Sequence, residues 1–198
     1  MEEKIRALLA PTHPEIDQIP LDPPEATLAP ACGITTDETY VGDWFHRGAL
    51  TNPHAYDNNG AVTNFRPAGD SQDGRVMLSG KWTTEQDGVT SDDKQGNSAE
   101  LRYHARSVYA VLSVANEKKP VRVYLLQDGK PIPQNEAGVD LHFDAQGSYL
   151  EVSKPRMYYL VKNTAFGSHL LTLEPQASGF VLHSFIYGNN CQQDFDQM

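Results

Sequence analysis

Across residues 98–128 the chain alternates apolar and polar side chains in the way that extended backbone uses. Ala99, Leu101, Tyr103 and Ala105 interleave with Glu100, Arg102 and His104, the two-residue period of a half-buried strand. From 108 to 114 nearly every residue is apolar, so this run is expected to be covered on both faces. The polar link Asn116-Glu117-Lys118-Lys119-Pro120 separates it from Val121, Val123 and Leu125, which alternate again as far as Asp128-Gly129. The pattern predicts a β-hairpin, 108–114 against 121–126, at the centre of the fold. Leu101, Val108, Ala110, Leu112, Val123, Leu125, Val161, Leu171 and Leu173 are its expected core.

Further strand patterns run at 75–85, 139–143, 148–152, 156–162, 168–174 and 179–187, punctuated by Gly147, Pro155, Gly167 and Gly179. Short strands at this spacing predict an all-β fold, an antiparallel β-sandwich of jelly-roll type. Residues 2–10 carry a helical stripe, Ile5, Leu8 and Leu9, stopped by Pro11. So short a helix is unstable alone, since about 12–15 residues are already marginal in water, and its stripe needs a partner. Pro11, Pro14, Pro20, Pro23, Pro24 and Pro30 follow without periodicity and predict an extended linker. The chain thus divides into a helix and Pro-rich linker (1–31), a β-sandwich (32–188) and a polar tail (189–198) expected to fray. Thr35-Thr36-Asp37-Glu38 has the spacing of a capping box and predicts a short helical turn at 38–41. Residues 42–74 are rich in Asn, Asp, Gly and Pro, with Trp44, Phe45, Tyr56 and Phe65 among them, and read as ordered loops over the sandwich.

Charge narrows the choice of partner. Sixteen basic residues stand against 26 acidic ones, a net charge of −10, which argues against nucleic acid or an anionic membrane surface. No apolar run approaches the ~20 residues of a membrane span, and the acidic start MEEKIRALLA does not read as a signal peptide. Direct membrane insertion is therefore not expected. Cys32 and Cys191 stand far apart, without C-x-x-C spacing or a neighbouring His cluster; they are either two unpaired thiols or one disulfide tying the ends of the domain together. A nucleophile elbow, a Gly-rich phosphate loop, an H-E-x-x-H pair and a dinucleotide fingerprint are all missing from the sequence, so neither a cofactor nor an enzyme is expected. Asp57-Asn58-Asn59-Gly60 and Asp70-Ser71-Gln72-Asp73-Gly74 are oxygen-rich but lack the EF-hand pattern, and serve as turns. Exposed aromatics are the remaining signal, because sugar C–H faces pack on flat rings while hydroxyls seek charged or amide groups. Trp44, Tyr56, Trp82, Tyr149 and Tyr158 are the candidates, each weighed against ordinary core or rim packing.

Seven short motifs, in order, resemble one family. Thr36-Asp37-Glu38-Thr39-Tyr40-Val41-Gly42 is similar to the "S/T-P-E-T-Y-x-G" opening of the C-terminal domain of DipZ-type proteins. Leu78-Ser79-Gly80-Lys81-Trp82 resembles its "L-S-G-x-W", and residues 103–109 its "F-x-A-R-x-V". Asp128-Gly129-Lys130-Pro131 resembles "D-G-x-P", Gly138-Val139-Asp140 "G-x-D-V", residues 155–161 "x-R-L-Y-x-L-V", and Phe185-Ile186-Tyr187-Gly188 the closing "F-T-F-G". Such proteins join a CcdA-like membrane part, a thioredoxin-like domain and a terminal domain resembling a carbohydrate-binding module. Asp37 stands where Pro is usual, and the chain has no thioredoxin C-x-x-C, so redox activity is not carried over. The resemblance implies a non-catalytic carbohydrate-binding module, accessory to a thiol–disulfide redox protein of the bacterial cell envelope, in the periplasm or another extracytoplasmic space. It also implies an oxidising compartment for the two cysteines, and makes residues 2–10 the end of a preceding thioredoxin-like domain. The alternative is a protein-interaction module that docks the thioredoxin-like domain or its substrates, with no sugar site.

A specific site follows from the motif at 155–161. Arg156 and Tyr158 stand two apart in a strand and leave the same face, about 6.6 Å apart, with Met157, Tyr159 and Val161 assigned to the core on the other. A buried Arg156 needs a carboxylate, for which Glu38 and Asp140 are the candidates. Either this pair clamps the opening segment 38–40 to the sandwich, or the cluster lines a polar-ligand pocket together with Tyr40 and Trp82.

Overall fold

The computed structural model describes residues 2–13, 16, 33–43 and 48–189. Cys32, Cys191, Trp44, Phe45, most of the Pro-rich linker and the polar tail beyond Asn189 lie outside the described residues. Two units are distinguished, residues 1–32 with 191–198, and residues 33–190. In the first, the expected helix is present as α1, Glu2–Leu9, and Ile5, Leu8 and Leu9 on its stripe are exposed. The Arg6 guanidinium donates to the Ile16 carbonyl at 2.8 Å.

The second unit is the antiparallel β-sandwich that the periodicity predicts. Its strands are β1 (Thr39–Tyr40), β2 (Val62–Phe65), β3 (Val76–Thr84), β4 (Val89–Ser91), β5 (Ser98–Val114), β6 (Val121–Gln127), β7 (Lys130–Pro131), β8 (His142–Asp144), β9 (Gly147–Val152), β10 (Arg156–Pro175) and β11 (Phe180–Gly188). All nine expected core residues are buried. The frame is a long antiparallel ribbon: β5, of 17 residues, pairs with β10, of 20, from Leu112 opposite Arg156 to Ala99 opposite Leu173. On its other edge β5 takes β3 at its start, through residues 98–101, and β11 at its end, through 107–114. β4 pairs with both β3 and β11, so main-chain bonds close a circuit β5–β3–β4–β11–β5. That circuit covers edges that would otherwise be open to pairing with another chain.

The expected central hairpin does not form. β10 lies between β5 and β6, taking one on each edge. The runs at 99–105 and 108–114 are a single strand that bends at Arg106, opposite a register shift between Lys162 and Gly167 of β10. The start of β5 is level with β6, Ala99 facing Leu173 and Leu173 facing Leu125, whereas its end at Val114 is bonded to Phe180. Residues 115–120 therefore carry the chain from one half of the ribbon to the other instead of turning back. A β-bulge supplies the bend, since extra residues on one strand bend it and increase its twist.

Three buried side chains tie the strands together at this bend. Tyr103 Oη of β5 donates to Gln127 Oε1 of β6 at 2.6 Å, and Gln127 Nε2 donates to Asn163 Oδ1 of β10 at 2.8 Å. Asn163 Nδ2 returns to Tyr103 Oη at 3.1 Å, closing a ring in which each side chain donates once and accepts once. The Tyr103 ring also stacks on Tyr187, with centroids 6.0 Å apart.

Several local expectations are corrected. The strands expected at 156–162 and 168–174 are one, β10, interrupted by the bulge. Residues 139–141 are not a strand: Val139 is 86% exposed and β8 begins at His142. The capping-box turn at 38–41 is absent, because Thr36 Oγ1 accepts from the His104 N–H at 2.7 Å and the chain stays extended into β1. Tyr109 and Val111 are only half-buried, so the second half of β5 is covered on one face rather than two.

Replacing Tyr103 with Phe leaves Gln127 Oε1 without its donor and Asn163 Nδ2 without its acceptor. Tyr103→Phe is expected to cost about 1–3 kcal/mol, read as a lower urea midpoint at unchanged slope. An unchanged midpoint would show that the ring is dispensable. Burial also governs the alkaline limit. It pushes the phenols of Tyr56 and Tyr109 up to about 12, and those of Tyr103 and Tyr187 up as well. The fold favours the neutral phenol, so this stabilisation is complete below the ordinary tyrosine value of about 10 and is lost as pH rises through about 12. Phenolate absorbance at these positions should therefore appear together with loss of far-ultraviolet strand signal; ionisation near pH 10 in a folded protein would contradict it.

Candidate ligand-binding site

The structure divides the six residues that the sequence grouped. Trp82 and Tyr158 are core. Trp82 Nε1 donates to the Ser79 carbonyl at 2.8 Å and its ring meets Phe180 edge-on at 6.4 Å. Tyr158 is buried, with its Oη donating to the Lys154 carbonyl at 3.0 Å. Arg156 and Tyr158 do share a face, but it is the core face. Tyr158 and Leu160 point inward, while Met157 is 52% exposed and Tyr159 half-buried, the reverse of the expected parity. The register shift at Leu160 brings Val161 back inside, so that assignment holds. Neither Trp82 nor Tyr158 offers a surface to a ligand.

Arg156, Asp140 and Gly138 form a latch. The Arg156 guanidinium lies 3.7 Å from the Tyr158 ring centroid, capping the core end of β10, and its Nη2 donates to Asp140 Oδ1 at 2.7 Å. Asp140 Oδ2 accepts the Tyr159 N–H at 2.7 Å, so one carboxylate holds both the side chain and the backbone of β10. Burial opposes ionisation of Asp140, but the Arg156 hydrogen bond, the Tyr159 N–H and the guanidinium charge outweigh it and hold the carboxyl below the usual range. Gly138 lies so close to β10 that a Cβ would sit 2.1 Å from the Tyr159 carbonyl oxygen. The clamp is therefore on the loop at 137–141, and Asp140, not Glu38, supplies the carboxylate. Arg156→Ala is expected to cost about 1–2 kcal/mol, because the pair is partly solvated, and to leave ligand affinity unchanged. Loss of binding by a folded variant would move the site here.

Glu38 and Tyr40 line an open hollow elsewhere. β1 pairs with β11, Thr39 opposite Phe185 and Tyr40 opposite Ser184, which turns Thr39 inward and leaves Tyr40 45% exposed. Thr39 Oγ1 bonds to Tyr187 Oη at 2.9 Å. Ahead of it, Asp73 Oδ1 accepts from Thr36 Oγ1 at 3.0 Å and from His104 Nδ1 at 2.6 Å, fixing one carboxylate in the wall. The hollow measures ≈ 310 Å³ and is lined by residues 36–40, Ala49 and residues 73–75. Arg75 reaches the Gly48 carbonyl at 3.3 Å. Two carboxylates (Asp37 and Glu38) beside a positioned third, one guanidinium and a solvent-facing phenol can accept from and donate to a polyhydroxylated molecule while one ring packs on it. Asp73 and Arg75 were missed because residues 70–74 read as a plain turn; the cation immediately after that acidic turn was the available signal. Among the described residues no cluster of His, Cys, Asp or Glu is arranged to hold a metal ion. Of the other candidate aromatics, Tyr56 is structural, with Oη donating to the Val41 carbonyl at 2.9 Å, and Tyr149 stands half-buried on the outward face of β9.

Comparison with known proteins places the chain in a family. No curated protein sequence matches it. Similar solved structures include a family two carbohydrate esterase from Clostridium thermocellum in complex with cellohexaose, with 17% identity and a TM-score of 0.44, covering 57% of this chain and 31% of that one. An active-site mutant of a family two carbohydrate esterase from the same organism gives 18%, 0.43, 57% and 31%. A family two carbohydrate esterase from Cellvibrio japonicus gives 13%, 0.42, 56% and 29%. The chain thus spans under a third of each esterase. The family model described as "Thioredoxin like C-terminal domain" matches residues 36–188, the whole β-sandwich from Thr36 to Gly188, and the chain belongs to that family.

Proposed function

We propose that the β-sandwich is a non-catalytic carbohydrate-binding module and that the hollow between β1 and the turn at 73–75 is its site. The observation that carries this reading is that the exposed Tyr40 lines one hollow together with Glu38, Asp73 and Arg75. A sugar gains from both halves of that arrangement, its C–H face on the phenol ring and its hydroxyls on the charged groups. Asp73 is held by Thr36 and His104 before any ligand arrives, so little order is lost on binding. Membership of a family of thioredoxin-like C-terminal domains supports the wider setting, in which the module is joined to a thioredoxin-like domain. We assign that larger protein to the DipZ type, working in the oxidising cell envelope, with the module holding the redox domain against its surroundings.

A second reading has its own observation. On the outward face of β10, β5 and β11, Met157 is 52% exposed and lies opposite Val111, while Tyr109 and Tyr159 stack with centroids 4.3 Å apart. This apolar strip is the place where the module would meet a thioredoxin-like domain or its substrates.

Titration of the full chain against a panel of neutral and acidic oligosaccharides tests the first reading. Tyr40→Ala is expected to weaken the best ligand about tenfold or more, as for a ring contact worth over 1 kcal/mol, with the thermal midpoint unchanged. Undiminished binding by Tyr40→Ala would remove the hollow as the site.

A further inference from the structure

The face of β6, β9 and β8 carries a second cluster, absent from the residues picked out by sequence except for Tyr149. Val123, Leu125, Leu150 and Val152 point into the core from β6 and β9. The alternate residues therefore face outward, Arg122 and Tyr124 from β6, Tyr149 from β9, and His142 and Asp144 from β8. Register aligns three of them, since Tyr124 is opposite Tyr149 and Tyr149 is opposite His142, and directly opposed residues share a face. The ring centroids are 5.9 Å apart from Tyr124 to Tyr149 and 5.5 Å apart from Tyr149 to His142.

The row is rigid. Arg122 lies over the Tyr149 ring at 4.0 Å from its centroid and donates to Asp144 Oδ2 at 3.0 Å. The same oxygen accepts from Tyr124 Oη at 2.9 Å, and Asp144 Oδ1 accepts the N–H groups of Gln146 and Gly147 at 2.8 and 3.2 Å. Four outward side chains, Arg122, Tyr124, Tyr149 and Asp144, are thus joined by hydrogen bonds and ring contacts, and His142 lies against Tyr149 beside them.

We propose that this row is a second binding site, which takes an extended β-linked oligosaccharide laid across β6, β9 and β8. Spacing selects the ligand: successive pyranose units of an extended β-linked chain advance by close to the separation of these side chains, so neighbouring sugars reach neighbouring rings, which are set at 62° and 37° to one another rather than in one flat surface. Guanidinium, carboxylate, phenol and imidazole tips stand beside that path and match hydroxyls on the edges of the sugars. Because Asp144 already fixes Arg122 and Tyr124, the platform is pre-organised. The site stands apart from the hollow at β1, shares no residue with it, and holds whether or not the hollow binds sugar.

Isotope-labelled full chain titrated with chitohexaose and with a β-1,4-glucan hexamer distinguishes the two sites residue by residue. The expected result is saturable shifts at Tyr124, Tyr149, His142 and Asp144, an affinity lowered about tenfold by Tyr149→Ala, and retention of most of it by Tyr149→Phe. His142→Ala, on the short outermost strand, gives the same reading should Tyr149→Ala fail to fold. Shifts confined to residues 36–40 and 73–75 would overturn this proposal and leave the hollow standing; shifts at the platform alone would do the reverse. Absence of shifts at the platform with both hexamers, or equal affinity in the alanine variants, would reduce the cluster to a set of cross-strand pairs that protect the sheet edge.

Discussion

Everything in this fold depends on bending one ribbon. The start of β5 is level with β6 while its end pairs with β11, and the extra residues between Lys162 and Gly167 of β10 let the ribbon turn between them. A bend breaks the regular ladder and brings polar groups into the interior, which is costly unless each finds a partner. The Tyr103–Gln127–Asn163 ring meets that demand with three strands at once, and among the described residues no buried side-chain polar atom is left without a hydrogen bond. The ring also fixes which strand sits next to β10. Gln127 ends β6, and only β6 beside β10 places its amide between Asn163 and Tyr103. The same arrangement denies β6 to β5 and removes the simple hairpin.

From that bend the surfaces follow. One half of the ribbon carries β11 and β1, and with them the hollow at Glu38 and Tyr40; the other half carries β6, β9 and β8 with the aromatic row. The loop at 137–141 crosses β10 where the ribbon is irregular. Gly138 permits the close approach, and Asp140 binds both Arg156 and the Tyr159 N–H. A glycine, an aspartate and an arginine that belong to two separate motifs are therefore one structural device.

Periodicity made the fold class and the core legible, because strand alternation depends only on which residues avoid water. Leu101, Val108, Ala110, Leu112, Val123, Leu125, Val161, Leu171 and Leu173 are buried for that reason. Pairing was not legible in the same way. The link at 116–120 has hairpin chemistry, but the partner of β5 is decided by the bend at Arg106 and by a strand some fifty residues further on, neither of which a local pattern carries. Parity at 156–161 failed through one bulged residue, since a single insertion exchanges the two faces of a strand. The chemistry of Trp82 and Tyr158 suits ligand contacts, whereas their surroundings make them core.

Many motif residues fill the interior, and Glu38 and Tyr40 of the opening motif are exceptions that line the hollow. Leu78, Trp82, Tyr158 and Leu160 fill the interior, and Gly80, at φ +89°, leaves room for the Asn97 side chain that a Cβ would strike at 2.3 Å. Such positions are constrained by packing. Outward positions on other strands, Tyr124 of β6, Tyr149 of β9, His142 of β8 and Tyr40 of β1, are not held by that core packing and face solvent at least in part. A motif of this kind therefore marks mostly the packing of the sandwich, and the outward side chains between its positions are read from register and burial instead.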